Sequence, residues 1–107
     1  MKYSLEQALE QLPGAAGQRF VEILRHGSMR TELYAPRGHD PQQPHTQDEL
    51  YFVLSGHGVF VQGDERHPFT AGDALFVPAG QVHRFEDFSD DFATWVVFWG
   101  PPGGEKA

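Results

Sequence analysis

Three residues that lie far apart in the chain are of the types that bind a metal ion together. His45 and Glu49 are separated by three polar residues, and His83 follows much later. On one flat strand four residues span about 13 Å, which is too far for two ligands to share an ion bound at about 2 Å. We therefore expect residues 46–48, which are typical of turns, to place His45 at the end of one strand and Glu49 at the start of the next.

Two imidazoles and one carboxylate form a ligand set that suits several divalent transition metals. This set is typical of Fe(II) sites, and Mn, Ni, Co or Zn can also occupy it. It leaves coordination positions open for water or a substrate. The sequence therefore predicts a divalent-metal site formed by His45, Glu49 and His83, with the metal's identity open.

The composition limits the class of protein that can carry such a site. A chain of 107 residues suits one domain, and fifteen acidic residues against eight Lys and Arg argue against a nucleic-acid partner. No apolar stretch approaches the about 20 residues of a membrane span, and the first residues are not those of a signal peptide. The absence of Cys excludes disulfides and thiolate sites. We predict a cytoplasmic protein that has no membrane partner.

The elements that must position the site are mostly short strands. Residues 3–12 carry the one helical pattern, with Ser4 as N-cap and Pro13-Gly14 at the end. Beyond it, apolar alternation and Gly/Pro turns predict strands at 20–24, 29–35, 49–54, 58–61, 66–70, 74–77, 82–86 and 92–99. No helical pattern separates these strands, so an antiparallel sandwich or barrel is expected rather than a parallel sheet.

Two stretches resemble the motifs of the cupin superfamily. The first motif is matched by His45, Glu49 and Gly56, and the second is matched at the family spacing by Gly72, Pro78, Gly80 and His83. Gln43 stands where the first motif has its first His, and Asp87 stands where the second motif ends in Asn. The resemblance covers residues 29–99.

The resemblance implies an all-β fold, the cupin jelly-roll barrel of two antiparallel sheets. It implies a single cupin domain over 1–107, with helix and turn at 1–14, barrel at 20–99 and a flexible tail at 100–107. It also implies a homodimer. Gln43, at a family ligand position, could bind the metal as a fourth ligand, hydrogen-bond a metal-bound water, or point elsewhere, and its amide oxygen is a weaker ligand than an imidazole.

The same resemblance implies a small-molecule ligand or substrate inside the barrel. If Glu49 and His83 point inward, strand alternation points Tyr51 and Phe85 inward as well, and we expect these two and Trp95 to line the pocket. Oxygenase, isomerase and lyase reactions are all compatible with a metal-binding cupin. Two alternatives are a non-enzymatic binding or sensing module and a metal-free cupin in which His83 or His45 is a general base.

Overall fold

Eight strands and one short helix build residues 1–106, the part of the chain that the computed structural model describes. The helix α1 spans Leu5–Leu9. The strands are β1 Phe20–His26, β2 Met29–Tyr34, β3 Asp48–Ser55, β4 His57–Gln62, β5 Glu65–Thr70, β6 Ala74–Val77, β7 His83–Glu86 and β8 Ala93–Trp99. The predicted all-β class is confirmed. No helix in this part of the chain is long and apolar enough to cross a membrane.

The strands form two antiparallel sheets. The larger sheet has the order β1-β2-β8-β3-β6, and the smaller sheet has the order β5-β4-β7. Strands β3 and β7, which carry Glu49 and His83, therefore belong to different sheets. The two sheets pack their inner faces together, so residues distant in sequence meet between them.

Aromatic side chains from both sheets fill the space between them. Tyr51 of β3 meets Phe85 of β7 edge-on with ring centroids 5.0 Å apart, and Phe85 also packs at 4.7 Å from Phe92. Phe60 of β4 lies 5.8 Å from Tyr51. Each such pair contributes about 0.5–1.5 kcal/mol beyond the burial of its area. This aromatic layer packs against the ring of His83.

The helix covers part of the outer face of the larger sheet. Ser4 caps it, because the Gln7 amide donates to Ser4 Oγ at 3.1 Å. Ala8 is buried against an outer cluster that contains Leu33 and Trp95. The helix is shorter than the predicted 3–12, since residues 11 and 12 form tighter turn hydrogen bonds to residues three positions earlier.

Residues 100–106 fold back on the barrel. The Gly103 amide donates to the Thr46 carbonyl at 2.7 Å, and the Glu105 amide donates to Asp48 Oδ2 at 2.9 Å. The flexibility predicted for 100–107 stays a prediction, and Ala107 lies outside the described residues.

Gly56 provides a test of the turn between β3 and β4. Its φ is +85°, and a Cβ there would lie 2.6 Å from the Phe92 Cα. We expect Gly56→Ala to lower the free energy of unfolding by about 2–4 kcal/mol, since it adds a backbone clash to the strain of a positive φ. Gly72→Ala is the matched control, because Gly72 has φ +95° with nothing within 4 Å of its Cβ position. Denaturant unfolding should show a loss of only about 1–2 kcal/mol there. Equal losses would contradict the clash.

Candidate metal centre

The side chains of His45, Glu49 and His83 converge between the two sheets. One ligand atom from each lies within 4.8 Å of the other two. Glu49 Oε1 is 3.0 Å from His83 Nε2 and 3.5 Å from His45 Nδ1. Glu49 and His83 are 1% and 3% exposed, whereas His45 is half-buried.

Backbone contacts bring His45 to the second motif, which contains Gly80 and His83. The chain bends at residues 46–47, but His45 lies in the loop that follows β2 rather than, as predicted, at the end of a strand, and Glu49 is the second residue of β3. The Gly80 amide donates to the His45 carbonyl at 2.8 Å, which ties the turn before His83 to His45 itself. The Asp48 carboxylate holds the same turn, because Oδ1 accepts the Ala79 amide at 2.9 Å.

The ring of His83 is held by Nδ1, the nitrogen that does not face Glu49. His83 Nδ1 lies 2.9 Å from the Gln81 carbonyl oxygen, which can only accept a hydrogen bond. Nδ1 must therefore carry a proton, and Nε2 faces Glu49. In the neutral ring Nε2 then has the free lone pair. Such a contact fixes the tautomer and orientation of a metal-binding histidine.

The buried hydroxyl of Tyr51 contacts both Glu49 and His83. It lies 3.0 Å from Glu49 Oε2, 2.8 Å from Gln42 Oε1 and 3.1 Å from His83 Nε2. Because Tyr51 engages Oε2, the other carboxylate oxygen of Glu49 is directed at the two histidines. Tyr51 thus orients the carboxylate.

The electrostatics of the cluster keep Glu49 ionised. Burial opposes its ionisation, but His45 and His83 outweigh burial and lower the pKa of Glu49 to about 2. Burial likewise disfavours the charged form of His83, yet its contacts with Glu49 and the Gln81 carbonyl raise the pKa of His83. Burial and the charge of Glu49 raise the pKa of Tyr51 well above its usual value. The carboxylate is therefore anionic and Tyr51 is neutral at physiological pH.

One nitrogen at this site makes no hydrogen bond among the described residues, although it lies within 3.5 Å of the Glu49 carboxylate. His45 Nδ1 is buried and has no hydrogen bond to any residue in 1–106. The His45 ring packs 4.6 Å from the ring of Phe98, which holds this nitrogen on the side of Glu49. A buried nitrogen without a hydrogen bond costs free energy, and a bound cation would satisfy it. The donor set of two imidazoles and a carboxylate thus fits a divalent transition metal.

A cavity of about 430 Å³ opens beside His45. Its polar wall includes Arg30 and Glu32, whose Nε and Oε2 are 3.1 Å apart. Burial raises the pKa of Glu32 although Arg30 pairs with it. Val96 and Phe98 form an apolar wall. The cavity has the size and the mixture of groups of a small-molecule site.

The structure differs from the sequence-based predictions for the cavity walls. Tyr51 and Phe85 point inward as expected, but they lie in the aromatic core beneath the cluster rather than on the cavity wall. Trp95 packs in the outer cluster with the helix, so its assignment to the pocket is wrong. Val96, the next residue on β8, lines the cavity instead, because successive strand residues face opposite sides.

The loop before His45 holds the predicted Gln43 and two further residues, Asp40 and Gln42, that the sequence did not single out. Gln43 is exposed and lines the cavity, so its role as a ligand stays a prediction. Its neighbour Gln42 reaches Tyr51. Asp40 anchors the loop, because its carboxylate accepts hydrogen bonds from the Phe85 amide at 2.8 Å, from the Gln42 side chain at 2.8 Å and from the Tyr34 hydroxyl.

Comparison with known families supports the fold and the motifs. The sequence profile of the Cupin domain family matches residues 30–99. A crystal structure of a cupin 2 conserved barrel domain protein from Salinispora arenicola superposes with a TM-score of 0.71. The superposition covers 94% of this chain and 88% of that protein at 20% sequence identity, so it supports the fold alone.

Two curated proteins are also similar in sequence. An uncharacterized protein of Streptomyces coelicolor is 38% identical over 96 residues, which cover 88% of this chain and 90% of that protein. The acireductone dioxygenase of Gluconacetobacter diazotrophicus is 30% identical over 101 residues, or 89% of this chain. The match spans only 56% of that enzyme's length.

Proposed function

This chain belongs to the cupin family, and on that premise we propose that it binds a divalent transition metal and a small organic molecule. His45 Nδ1, Glu49 Oε1 and His83 Nε2 would hold the metal. The organic molecule would occupy the cavity beside His45. The observation that carries the proposal is the buried His45 Nδ1, which makes no hydrogen bond to residues 1–106 and is aimed at an ionised carboxylate.

A bound divalent ion would supply a Lewis acid with open coordination positions for an oxygen-containing ligand. The chain's own residues prepare that role. Glu49 offers negative charge at physiological pH, and the Gln81 carbonyl directs the lone pair of neutral His83 at the site. Val96 and Phe98 exclude water from one side of the cavity.

The similarity to acireductone dioxygenases favours an oxygen-dependent reaction on a small enediol as the first candidate activity. The ligand set supports it, because two histidines and one carboxylate are typical of Fe(II) oxygenases. The cavity also supports it, since about 430 Å³ suits a small molecule rather than a polymer.

Metal analysis of the untagged protein tests the proposal. The protein is stripped with a chelator and loaded anaerobically with Fe(II), Mn(II), Ni(II), Co(II) or Zn(II). Its metal content is then measured by inductively coupled plasma mass spectrometry. We expect one ion per chain for at least one metal. Oxygen uptake by the Fe(II) and Ni(II) forms against a panel of small enediols, diketones and acids then tests the reaction. No stoichiometric metal under any loading condition would refute the metal site.

A second candidate is a metal-free module that binds or senses a small molecule. The observation that favours it is the network of Tyr51, Glu49 and His83, whose members already hydrogen-bond one another. Binding of the panel molecules to the stripped protein with no gain on metal loading would support this candidate over the first.

The remaining proposals concern the protein's assembly and location. We propose a homodimer in the cytoplasm. The support for association is the outer face of the larger sheet, where Phe52 and Phe76 are 44% and 51% exposed. Exposed apolar side chains of this size favour association. Size-exclusion chromatography with light scattering should give twice the chain mass of 12.0 kDa, and the mass of one chain would contradict a dimer.

Tyr51→Phe tests how the carboxylate is oriented. Removing the hydroxyl frees Glu49 Oε2 and Gln42, so the carboxylate can turn away from the histidines. We expect a 10–100-fold loss of Co(II) affinity by calorimetry, the usual effect of losing a contact that orients a ligand. Tyr3→Phe is the matched control, because it removes a phenolic hydroxyl from an exposed side chain that contacts neither Glu49 nor the loop before His45. Equal affinities for Tyr51→Phe and wild type would contradict this role.

A further inference from the structure

Two arginines near the cavity have no carboxylate partner. Arg25, Arg30, Arg66 and Arg84 each form an ion pair with a glutamate. Arg19 and Arg37 have no acidic oxygen within 4.0 Å among residues 1–106. This is unexpected in a chain with fifteen acidic residues and a net charge of −7.

The two guanidinium groups are held on a single backbone oxygen. Arg19 Nε donates to the Ala35 carbonyl at 2.9 Å, and Arg37 Nη1 donates to the same oxygen at 3.2 Å. Arg37 Nη1 also reaches the Pro36 carbonyl at 3.1 Å. Burial, followed by the charge of Arg37, lowers the pKa of Arg19. Two like charges held this close repel each other, and an anion between them would remove the repulsion.

A second cavity, of about 320 Å³, is bounded by these two arginines. Tyr34 and Pro41 line both this cavity and the larger one beside His45, so the two cavities adjoin. Asp40, three residues after Arg37, forms no ion pair with either arginine. Its oxygens accept hydrogen bonds from the Phe85 amide, the Gln42 amide and side chain, and the Tyr34 hydroxyl.

The arginines keep donors free for a ligand. Within residues 1–106, the terminal amino groups of Arg19 and the Nε and Nη2 atoms of Arg37 donate no hydrogen bond. The guanidinium fork matches the paired oxygens of a carboxylate or phosphate group. Arg30 is not equivalent, because Glu32 and Glu22 already pair with it.

We propose that Arg19 and Arg37 bind the carboxylate or phosphate group of the small molecule whose other end reaches the metal centre. The identification of this molecule as the metal-site ligand rests on the proposed function, whereas the anion site itself does not. One face of β2 lines the larger cavity with Arg30, Glu32 and Tyr34. The first and last of these residues are about 13 Å apart along the strand. The ligand class is therefore an elongated organic acid or phosphate ester.

Titration of the metal-free protein with phosphate and with acetate, at constant ionic strength, tests the anion site. The Nε–H NMR signals of Arg19 and Arg37, and the backbone amide signals of residues 35 and 37–39, which every variant retains, should shift to saturation. The anion that saturates at lower concentration identifies the preferred group. Arg19→Gln combined with Arg37→Gln should weaken binding at least tenfold. Arg37 is exposed, so Arg37→Gln alone should fold normally. This single variant should also bind the anion more weakly than wild type.

Arg66→Gln is the matched control, because it removes one charge from an arginine that is already paired with Glu86. It should leave both titrations unchanged. Shifts of all arginine signals without saturation, or equal binding by the double variant and wild type, would overturn the anion site.

Two hydroxamates test whether one molecule spans both sites in the Co(II)-loaded protein. Suberic monohydroxamic acid carries a distal carboxylate, and octanohydroxamic acid lacks it. The first should bind at least tenfold more tightly, and this difference should disappear in the double arginine variant while Co(II) affinity stays unchanged. No difference in wild type would overturn the spanning ligand. Absence of Co(II) binding itself, with phosphate or acetate still bound, would refute the metal proposal and leave the anion site standing.

Discussion

Replacing Glu49 with glutamine, or His83 with alanine, is expected to weaken binding of Co(II) at least about 100-fold, beyond the usual loss from a residue that only orients a ligand. Glu49 is the one ionised oxygen donor among the three proposed ligands, and Oε1 faces both histidines. An amide keeps the shape of the side chain and removes its charge. Loss of His83 removes the nitrogen that the Gln81 carbonyl directs at the site.

Calorimetric titration with Co(II) measures this effect, and circular dichroism checks that each variant is folded. Matched controls are Glu65→Gln and His57→Ala, since both side chains are exposed and lie outside the cluster. These controls should bind Co(II) with wild-type affinity. An affinity of Glu49→Gln within about tenfold of wild type would mean that the carboxylate is not a ligand.

The metal-free protein should lose stability at acidic pH because of the same carboxylate. The pKa of Glu49 is about 2 in the folded protein, and the ordinary value is 4.5. The ionised form therefore stabilises the fold fully above pH 4.5, and this contribution declines as the pH falls toward 2. At about 1.36 kcal/mol per pKa unit, the ionisation of Glu49 contributes about 3 kcal/mol to the free energy of unfolding.

The opposite dependence applies to His83, whose pKa is raised above its ordinary 6.5. Its protonated form stabilises the metal-free fold below pH 6.5, and the contribution is lost as the pH rises through the raised value. The ion pair of Glu49 and His83 is thus strongest between pH 4.5 and 6.5.

Urea unfolding of the stripped protein across pH 2.5 to 8 measures both contributions. Glu49→Gln should lose about 3 kcal/mol at pH 5.5, where it leaves His83 charged and buried without its partner. It should lose less as the pH rises through the raised pKa of His83, above which the ring is neutral and needs no counter-charge. Glu65→Gln, at an exposed position, should follow the wild-type curve. A constant difference between Glu49→Gln and wild type at all pH values would contradict the ion pair.

The approach of two proposed ligands, His45 and Glu49, could be predicted because their spacing restricts the backbone, whereas His83 was placed by the turn and motif before it. Residues 46–48 had to turn for His45 and Glu49 to share an ion, and the chain does bend at 46–47. The inward direction of Tyr51 followed from that of Glu49 by strand alternation. The spacing of His45 and Glu49 and the alternation along β3 therefore predict this part of the site.

Trp95 could not be assigned by the same rule. Strand β8 lies inside the larger sheet and is covered on both faces, so nearly all its residues are apolar and alternation gives no direction. The structure places Trp95 outward and Val96 inward. Only the pairing of β8 with its neighbours decides this.

Residues in irregular segments could not be placed from the sequence. Gln42 rather than Gln43 contacts Tyr51, because hydrogen bonds to Asp40 set the path of this proline-rich loop. Arg19 and Arg37 are brought together by one carbonyl oxygen just after β2. A single arginine outside a strand has no periodic pattern that would indicate such a neighbour.

Anomalous diffraction from a crystal of the Co(II)-loaded protein would locate the metal ion itself. One peak is expected between the sheets, about 2.0–2.2 Å from His45 Nδ1, a Glu49 carboxylate oxygen and His83 Nε2. A loaded crystal with its peak elsewhere, or with these three side chains still hydrogen-bonded only to protein, would contradict the metal centre.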